Sequence, residues 1–195
     1  MTLSKKQKQK NRQKEEGRLA GLCRKGDRAA LHELYERYAP DLLKVCMRYA
    51  SCREEAEDVL HDTFIKAFRS MGRFESRGEG SLGRWLKTLA INQSIDRIRR
   101  RRKESELHLE EFPEDCWEPP DEAVAAIGEK ELLRFVSELP PGYRAVFNMY
   151  VFDDMPHRDI AKALGITEST SASQFLRAKR MMAQKIKDYL QNERK

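Results

Sequence analysis

The sequence predicts an all-α protein: two small helical domains joined by an acidic flexible linker, the second containing a helix-turn-helix. Three observations carry this. Apolar residues recur at helical spacing through both halves, and nothing in the first half alternates with period two over a useful length. Charged residues make up 36% of the chain and hydrophobic residues 39%. That charged share is well above the roughly 25% of an average soluble domain, so thin helical bundles suit the chain better than one thick core. Charge is also blocked: a basic run closes one helical pattern, and nine acids with no Lys or Arg among them follow between Glu104 and Glu122.

In chain order, Lys5, Lys6, Lys8, Lys10, Arg12, Lys14 and Arg18 make residues 1–18 a basic tail with almost no apolar content. Such a segment is expected to be disordered when free. The first domain spans 19–103. Leu31, Leu34, Tyr35 and Tyr38 follow i, i+3, i+4, i+7, and Leu42, Leu43, Cys46 and Met47 extend the stripe past Pro40. Ser51 and Glu54 have the spacing of a capping box, in which each side chain satisfies an orphan backbone donor. The helix it opens carries Ala56, Val59, Leu60, Thr63, Phe64, Ala67, Phe68 and Met71 on one face. Gly72, Gly78 and Gly80 break the chain, and a further helix runs from about Ser81 to Arg102 with Leu82, Leu86, Leu89 and Ala90 inward.

Residues 104–123, interrupted by Pro113, Pro119 and Pro120, read as the linker. The second domain spans 124–195. Leu132, Phe135, Val136 and Leu139 close one helix, Pro140, Pro141 and Gly142 make a turn, and Ala145, Val146, Met149 and Tyr150 face inward on the next. Asp153 and Asp154 end that helix.

The most informative stretch is 156–182, PHRDIAKALGITESTSASQFLRAKRMM. Pro156 suits a first helical turn, where its missing N–H costs nothing. Ile160 and Leu164 face inward, and Ala161 is small enough for a second helix to cross closely. Gly165 fits a turn that needs positive φ, Ile166 plugs the corner, and Thr167 is an N-cap with Glu168 near the positive helix end. The following helix buries Phe175, Ala178, Met182 and Ile186. Its other face carries Thr170, Ser173, Gln174 and Arg177, flanked by Lys179 and Arg180. Short hydroxyls, an amide and guanidinium or ammonium groups reach base edges and phosphates, so this is a DNA-reading helix-turn-helix. An ordinary helical hairpin with a polar outer face is the plainer alternative; the capped basic helix after Ala-x-x-x-Gly-Ile argues against it.

The net charge of +6 makes a polyanion a plausible partner. No stretch approaches the ~20 apolar residues that cross a bilayer, and the N-terminus lacks an apolar export core; a cytoplasmic protein without a membrane span is expected. Cys23, Cys46, Cys52 and Cys116 fit neither a disulfide framework nor a CxxC zinc pattern, and the four histidines are scattered. No metal, no cofactor, no catalytic residue and no enzymatic activity are expected.

Two further segments matter: AEDVLHDTFIKAF at 56–68, and RWLKTLAINQSIDRIRRRRK at 84–103, with a glycine-broken loop between them. With the helix-turn-helix and its preceding LPPGYRAVFNMYVFDDMP, they resemble domains two and four of the extracytoplasmic-function (ECF) group of sigma-70 family factors, over roughly residues 20–188. The resemblance implies a non-catalytic specificity subunit. It would bind core RNA polymerase, recognise minus-ten and minus-thirty-five promoter elements, and help melt DNA by binding energy alone.

Residue by residue, 56–68 matches the helix that docks on the coiled coil of the largest polymerase subunit, with Glu57, Asp58, His61, Asp62 and Lys66 outward; His61 stands where Gln is common. The loop 73–83 matches the segment that captures an unstacked minus-ten base. Arg73, Phe74, Arg77 and Arg84 suit that role, and Leu82 stands where an aromatic is common. Asn92, Asp96 and Arg99 match an N-x-x-x-D-x-x-R pattern beside the promoter, with Arg97 and Arg100 through Lys103 on phosphates. Minus-thirty-five reading falls to Thr170, Ser173, Gln174, Arg177, Lys179 and Arg180, with Ala172 and Gln174 where basic residues are frequent. The acidic linker is either a solvated spacer or, as in the family, an occupant of the polymerase's basic channel anchored by Trp117. An anti-sigma protein is implied as a further partner. A stand-alone helix-turn-helix regulator and a polymerase-binding module that does not read DNA are the alternatives.

Overall fold

The computed structural model describes residues 5–104, 119–120, 124–125 and 127–192. Most of the acidic linker, including Cys116 and Trp117, lies outside the described residues, as do the side chains of 101–104. No strand occurs among the described residues. The chain divides into two compact units, Met1–Met47 with Cys52–Ser94, and Arg48–Ser51 with Ile95–Lys195.

The first unit is built on α1 (Lys5–Arg24), α2 (Arg28–Tyr49), α3 (Arg53–Ser70), a single 3-10 turn (Met71–Arg73) and the start of α4 (Ser81–Glu104). The expected disordered tail is corrected here: α1 is helical from Lys5. Its Lys, Gln, Arg and Glu residues are good helix formers with no β-branched residue or Pro among them, and Leu19, Ala20 and Cys23 give it a short buried face. Asp27 caps α2, its Oδ1 accepting from the Ala30 N–H at 2.9 Å. α2 continues through Pro40, as the stripe past that residue predicts.

The capping box at Ser51 is also corrected. Cys52, in extended conformation, is the N-cap of α3, and no side-chain cap bond forms from it. Glu54 is held below its ordinary carboxylate pKa by its own backbone N–H and by the Cys52 thiol. The inward face of α3 is otherwise as read: Ala56, Val59, Leu60, Phe64 and Ala67 are buried, and the buried Thr63 hydroxyl donates to the Val59 carbonyl at 2.7 Å. The Phe64 ring lies 4.8 Å from Tyr35 and 5.8 Å from Phe68. Leu82, Leu86 and Ala90 bring α4 into this core. Gly83 permits close approach, since a Cβ there would stand 3.2 Å from the Tyr38 ring.

The second unit contains α5 (Glu129–Ser137), α6 (Pro141–Val151), α7 (His157–Leu164) and α8 (Glu168–Asn192). Its core gathers Ile127, Phe135, Val136, Leu139, Tyr143, Ala178, Met182 and Ile186. α8 is the central element, packing on α5, α6 and α7. The turn between α7 and α8 follows the sequence closely. Gly165 takes φ +65° and donates its N–H to Ala161, and the Thr167 hydroxyl accepts from the Thr170 N–H at 3.1 Å. Pro156 sits one position earlier than a first-turn residue, as the N-cap of α7.

Candidate functional site

α3 presents one apolar face to the core, so the positions between necessarily face solvent. Asp58, His61, Asp62 and Lys66 are exposed, and Glu57 is half-buried with its carboxylate 2.8 Å from Arg53. The structure thus brings all five expected polymerase-facing residues to one side of one helix. It adds two features the sequence reading missed. Ile65, 47% exposed, sits among the charges. A groove of about 470 Å³ runs between α2 and α3, where Tyr35, Glu36 and Leu43 meet Glu57, Leu60 and His61. Periodicity within α3 could signal Ile65 as an off-phase apolar residue, but the groove depends on packing between two helices.

The loop after the 3-10 turn forms a second concavity of about 450 Å³, lined by Arg73, Phe74, Glu75, Arg77, Ser81, Arg84 and Trp85. All four loop residues expected from the sequence meet there. The three arginines are exposed, whereas Phe74 is 5% exposed and packs on Trp85 with centroids 5.4 Å apart. Trp85 is the addition: the pair makes an apolar wall beneath a cationic rim. Glu75 pairs with Arg77 at 3.3 Å and moderates that charge. Gly78 and Gly80 adopt φ +113° and +73°, which only glycine takes without strain, so they set the loop's path. Further along α4, Asn92, Asp96 and Arg99 fall at i, i+4, i+7 on one helix, with Arg99 4.0 Å from Asp96. Asn92, Arg99 and Arg100 are exposed; Asp96 and Arg97 are half-buried.

On α8 two expectations change: Phe175, expected to be buried, is half-buried, and Gln174, expected outward, turns in. Gln174 is 8% exposed and belongs to the inward stripe with Ser171, Ala178, Met182 and Ile186. The reason is angular: Gln174 and Ala178 are four residues apart, about 40° around the helix, so both face the same neighbours. Ser171 is fully buried, with its hydroxyl 3.0 Å from His157 Nδ1. Thr170, Arg177 and Arg180 are half-buried, and Arg177 donates to the Tyr143 hydroxyl at 3.4 Å. The open face instead carries Ser169, Ala172, Ser173, Leu176 and Lys179. Leu176, 48% exposed, is the residue the sequence reading missed.

Elsewhere, the two buried thiols offer little chemistry. Burial raises Cys23 and pushes Cys46 up to about 12, which keeps Cys46 a neutral thiol. Among the described residues no group of His, Cys, Asp and Glu is arranged to hold a metal ion, and no helix is long and apolar enough to cross a membrane.

Two family models match the chain. Sigma-70 region 2 covers residues 34–104, taking in α3, the cationic loop and α4; Sigma-70 region 4 covers 129–182, taking in the helix-turn-helix. The ECF RNA polymerase sigma factor SigE of Mycolicibacterium smegmatis is 27% identical over 85% of the chain. SigW of Bacillus subtilis, another ECF factor, is 24% identical over 85% of the chain. The chain belongs to the ECF group of the sigma-70 family. It spans 64% of the length of SigE and 93% of that of SigW. A solved sigma factor RpoE, bound to the anti-sigma factor NepR from Bartonella quintana, covers 80% of this sigma factor at 20% identity and a TM-score of 0.48. Region 2 and region 4 on one chain favour a sigma factor over a stand-alone helix-turn-helix regulator, which needs only the second of them.

Proposed function

We propose that this sigma factor carries core RNA polymerase to promoters by dividing the work among three surfaces. The α3 face, acidic with Ile65 at its centre, docks on a basic coiled coil of the largest polymerase subunit. The loop between the 3-10 turn and α4 takes an unstacked base of the minus-ten element against the half-buried Trp85, which the buried Phe74 backs, with Arg73, Arg77 and Arg84 on the single strand. Asn92, Asp96, Arg97, Arg99 and Arg100 follow the adjacent backbone and bases. The open face of α8 enters the major groove of the minus-thirty-five element, with Ser173 and Leu176 central, Thr170 and Arg177 at the margin, and Lys179 and Arg180 on phosphates. Gln174, being buried, supports the helix and does not read bases.

The observation that carries this reading is the cavity at 73–85, an aromatic wall under three exposed arginines. A stacked base and its phosphate need both parts, and a helical hairpin needs neither. Melting then draws on binding energy, not hydrolysis, and the chain acts as a non-enzymatic subunit in the cytoplasm, subject to an anti-sigma protein. Transcription in vitro with purified core polymerase and a promoter library is the test. Initiation from a defined subset of promoters is expected; a chain that does not associate with core polymerase lacking its own sigma subunit overturns the proposal.

A further inference from the structure

We infer that α1 is a brace that fixes the shape of the base-capturing loop, with Glu16 as its positioning residue. The inference rests on the minus-ten reading of that loop and adds a helix that lies before the region 2 match, which begins at residue 34.

Glu16 is 5% exposed in a helix otherwise rich in solvated charge. A carboxylate in that position is costly to bury unless hydrogen-bonded. Its two oxygens accept from two backbone donors at the far end of the loop: Oε1 from the Gly80 N–H at 3.0 Å, and Oε2 from the Leu82 N–H at 3.3 Å. These donors stand at the N-terminal end of α4, where a helix leaves its N–H groups unsatisfied and favours negative charge. Ser81, between them, does not take on the task, because its buried hydroxyl has no hydrogen-bond partner among the described residues. Glu16 therefore serves as the cap of α4 from a different helix, more than sixty residues earlier in the chain.

α1 also holds the other end of the loop. Arg24 donates to the Phe74 carbonyl at 3.1 Å, and Arg12 pairs with Glu79 at 3.3 Å. The Arg12 pair is exposed and adds little by itself. The buried Glu16 and the backbone-directed Arg24 are the specific contacts. Together the three bracket residues 74–82, the segment that carries Arg77 and forms the mouth of the cavity. Gly78 and Gly80 would give an unheld loop many conformations. Holding both ends removes that freedom before DNA arrives, and preorganisation of this kind raises affinity without a new contact to the ligand.

The test uses the full chain with Trp117→Phe, which leaves Trp85, in the cavity wall, as the remaining tryptophan of the two. Glu16→Gln keeps one accepting oxygen and replaces the other with an NH2 group that cannot accept. Amide hydrogen exchange over 74–84 and iodide quenching of Trp85 read the brace directly. Binding to a single-stranded minus-ten 12-mer and to a minus-thirty-five duplex, both selected from random libraries with the holoenzyme, reads its consequence. Exchange at whichever of Gly80 and Leu82 loses its acceptor is expected to rise about tenfold, and single-strand affinity to fall at least fivefold, with duplex affinity unchanged. Unaltered exchange and quenching overturn the brace. Faster exchange with unaltered single-strand affinity upholds the brace and removes the loop's promoter role. Should Glu16→Gln fail to fold, Arg24→Ala, at an exposed position, is read by the same exchange over 74–77: protection equal to wild type refutes the inference.

Discussion

The orientation of α8 yields a prediction that separates two neighbouring residues. Sequence pattern favours Gln174 as a base reader; the structure buries it and exposes Leu176. Fully burying a leucine contributes about 1.5–3 kcal/mol. With 48% of Leu176 still open to solvent, covering it against a thymine methyl in the major groove contributes about 0.7–1.5 kcal/mol, or about 3- to 12-fold in Kd. Leu176→Ala should therefore weaken binding by that factor to duplexes carrying thymine at one position, and by little at duplexes lacking it. Gln174→Ala should leave the preference at every position intact and lower stability by about 1 kcal/mol, as loss of a buried packed side chain does. Fluorescence anisotropy on a set of single-substitution minus-thirty-five duplexes, with urea unfolding of each variant, measures both. If Gln174→Ala relaxes the preference at one base pair while Leu176→Ala relaxes none, the orientation of α8 is refuted.

Three other outcomes follow from the first unit. Asp62→Arg, on the exposed side of α3, should leave stability within about 0.5 kcal/mol and reduce core polymerase affinity about tenfold through a reversed charge at the interface; native gel titration against core enzyme checks it. Phe64→Ala, in a residue 2% exposed and in contact with Tyr35 and Phe68, should cost about 3–5 kcal/mol, read as a lowered urea midpoint. In a Cys116→Ala background at pH 8, maleimide should label the exposed Cys52 and spare Cys46, whose thiol stays protonated up to about 12 because it is buried; mass spectrometry of the labelled peptides decides.

Local rules made part of this protein readable in advance. The turn between α7 and α8 depends on Gly165 and Thr167, whose roles involve residues no more than a few positions away. The solvent side of α3 follows from the complement of a strong apolar stripe. Other features failed for identifiable reasons. Residues 5–18 looked featureless because their composition lacks apolar content, yet Glu16 finds its partners in Gly80 and Leu82, a pairing that no local pattern encodes. Ser51 and Glu54 had capping-box spacing, but the helix starts one residue later, at Cys52 as N-cap. Gln174 and Phe175 both sit near the inward side of α8; residue chemistry alone points a polar side chain outward, and the packing of α8 against its neighbours turns Gln174 in.

The amino-acid sequence by itself determined the helical class, the capped turn of the helix-turn-helix and the family, because each is carried by periodicity or by contacts between near neighbours. Only the tertiary structure decided which side of α8 is open, where the aromatic wall of Phe74 and Trp85 stands, and that α1 grips the loop beside it. Those depend on the angles at which helices pack and on partners far apart along the chain, and helical periodicity carries no information about either.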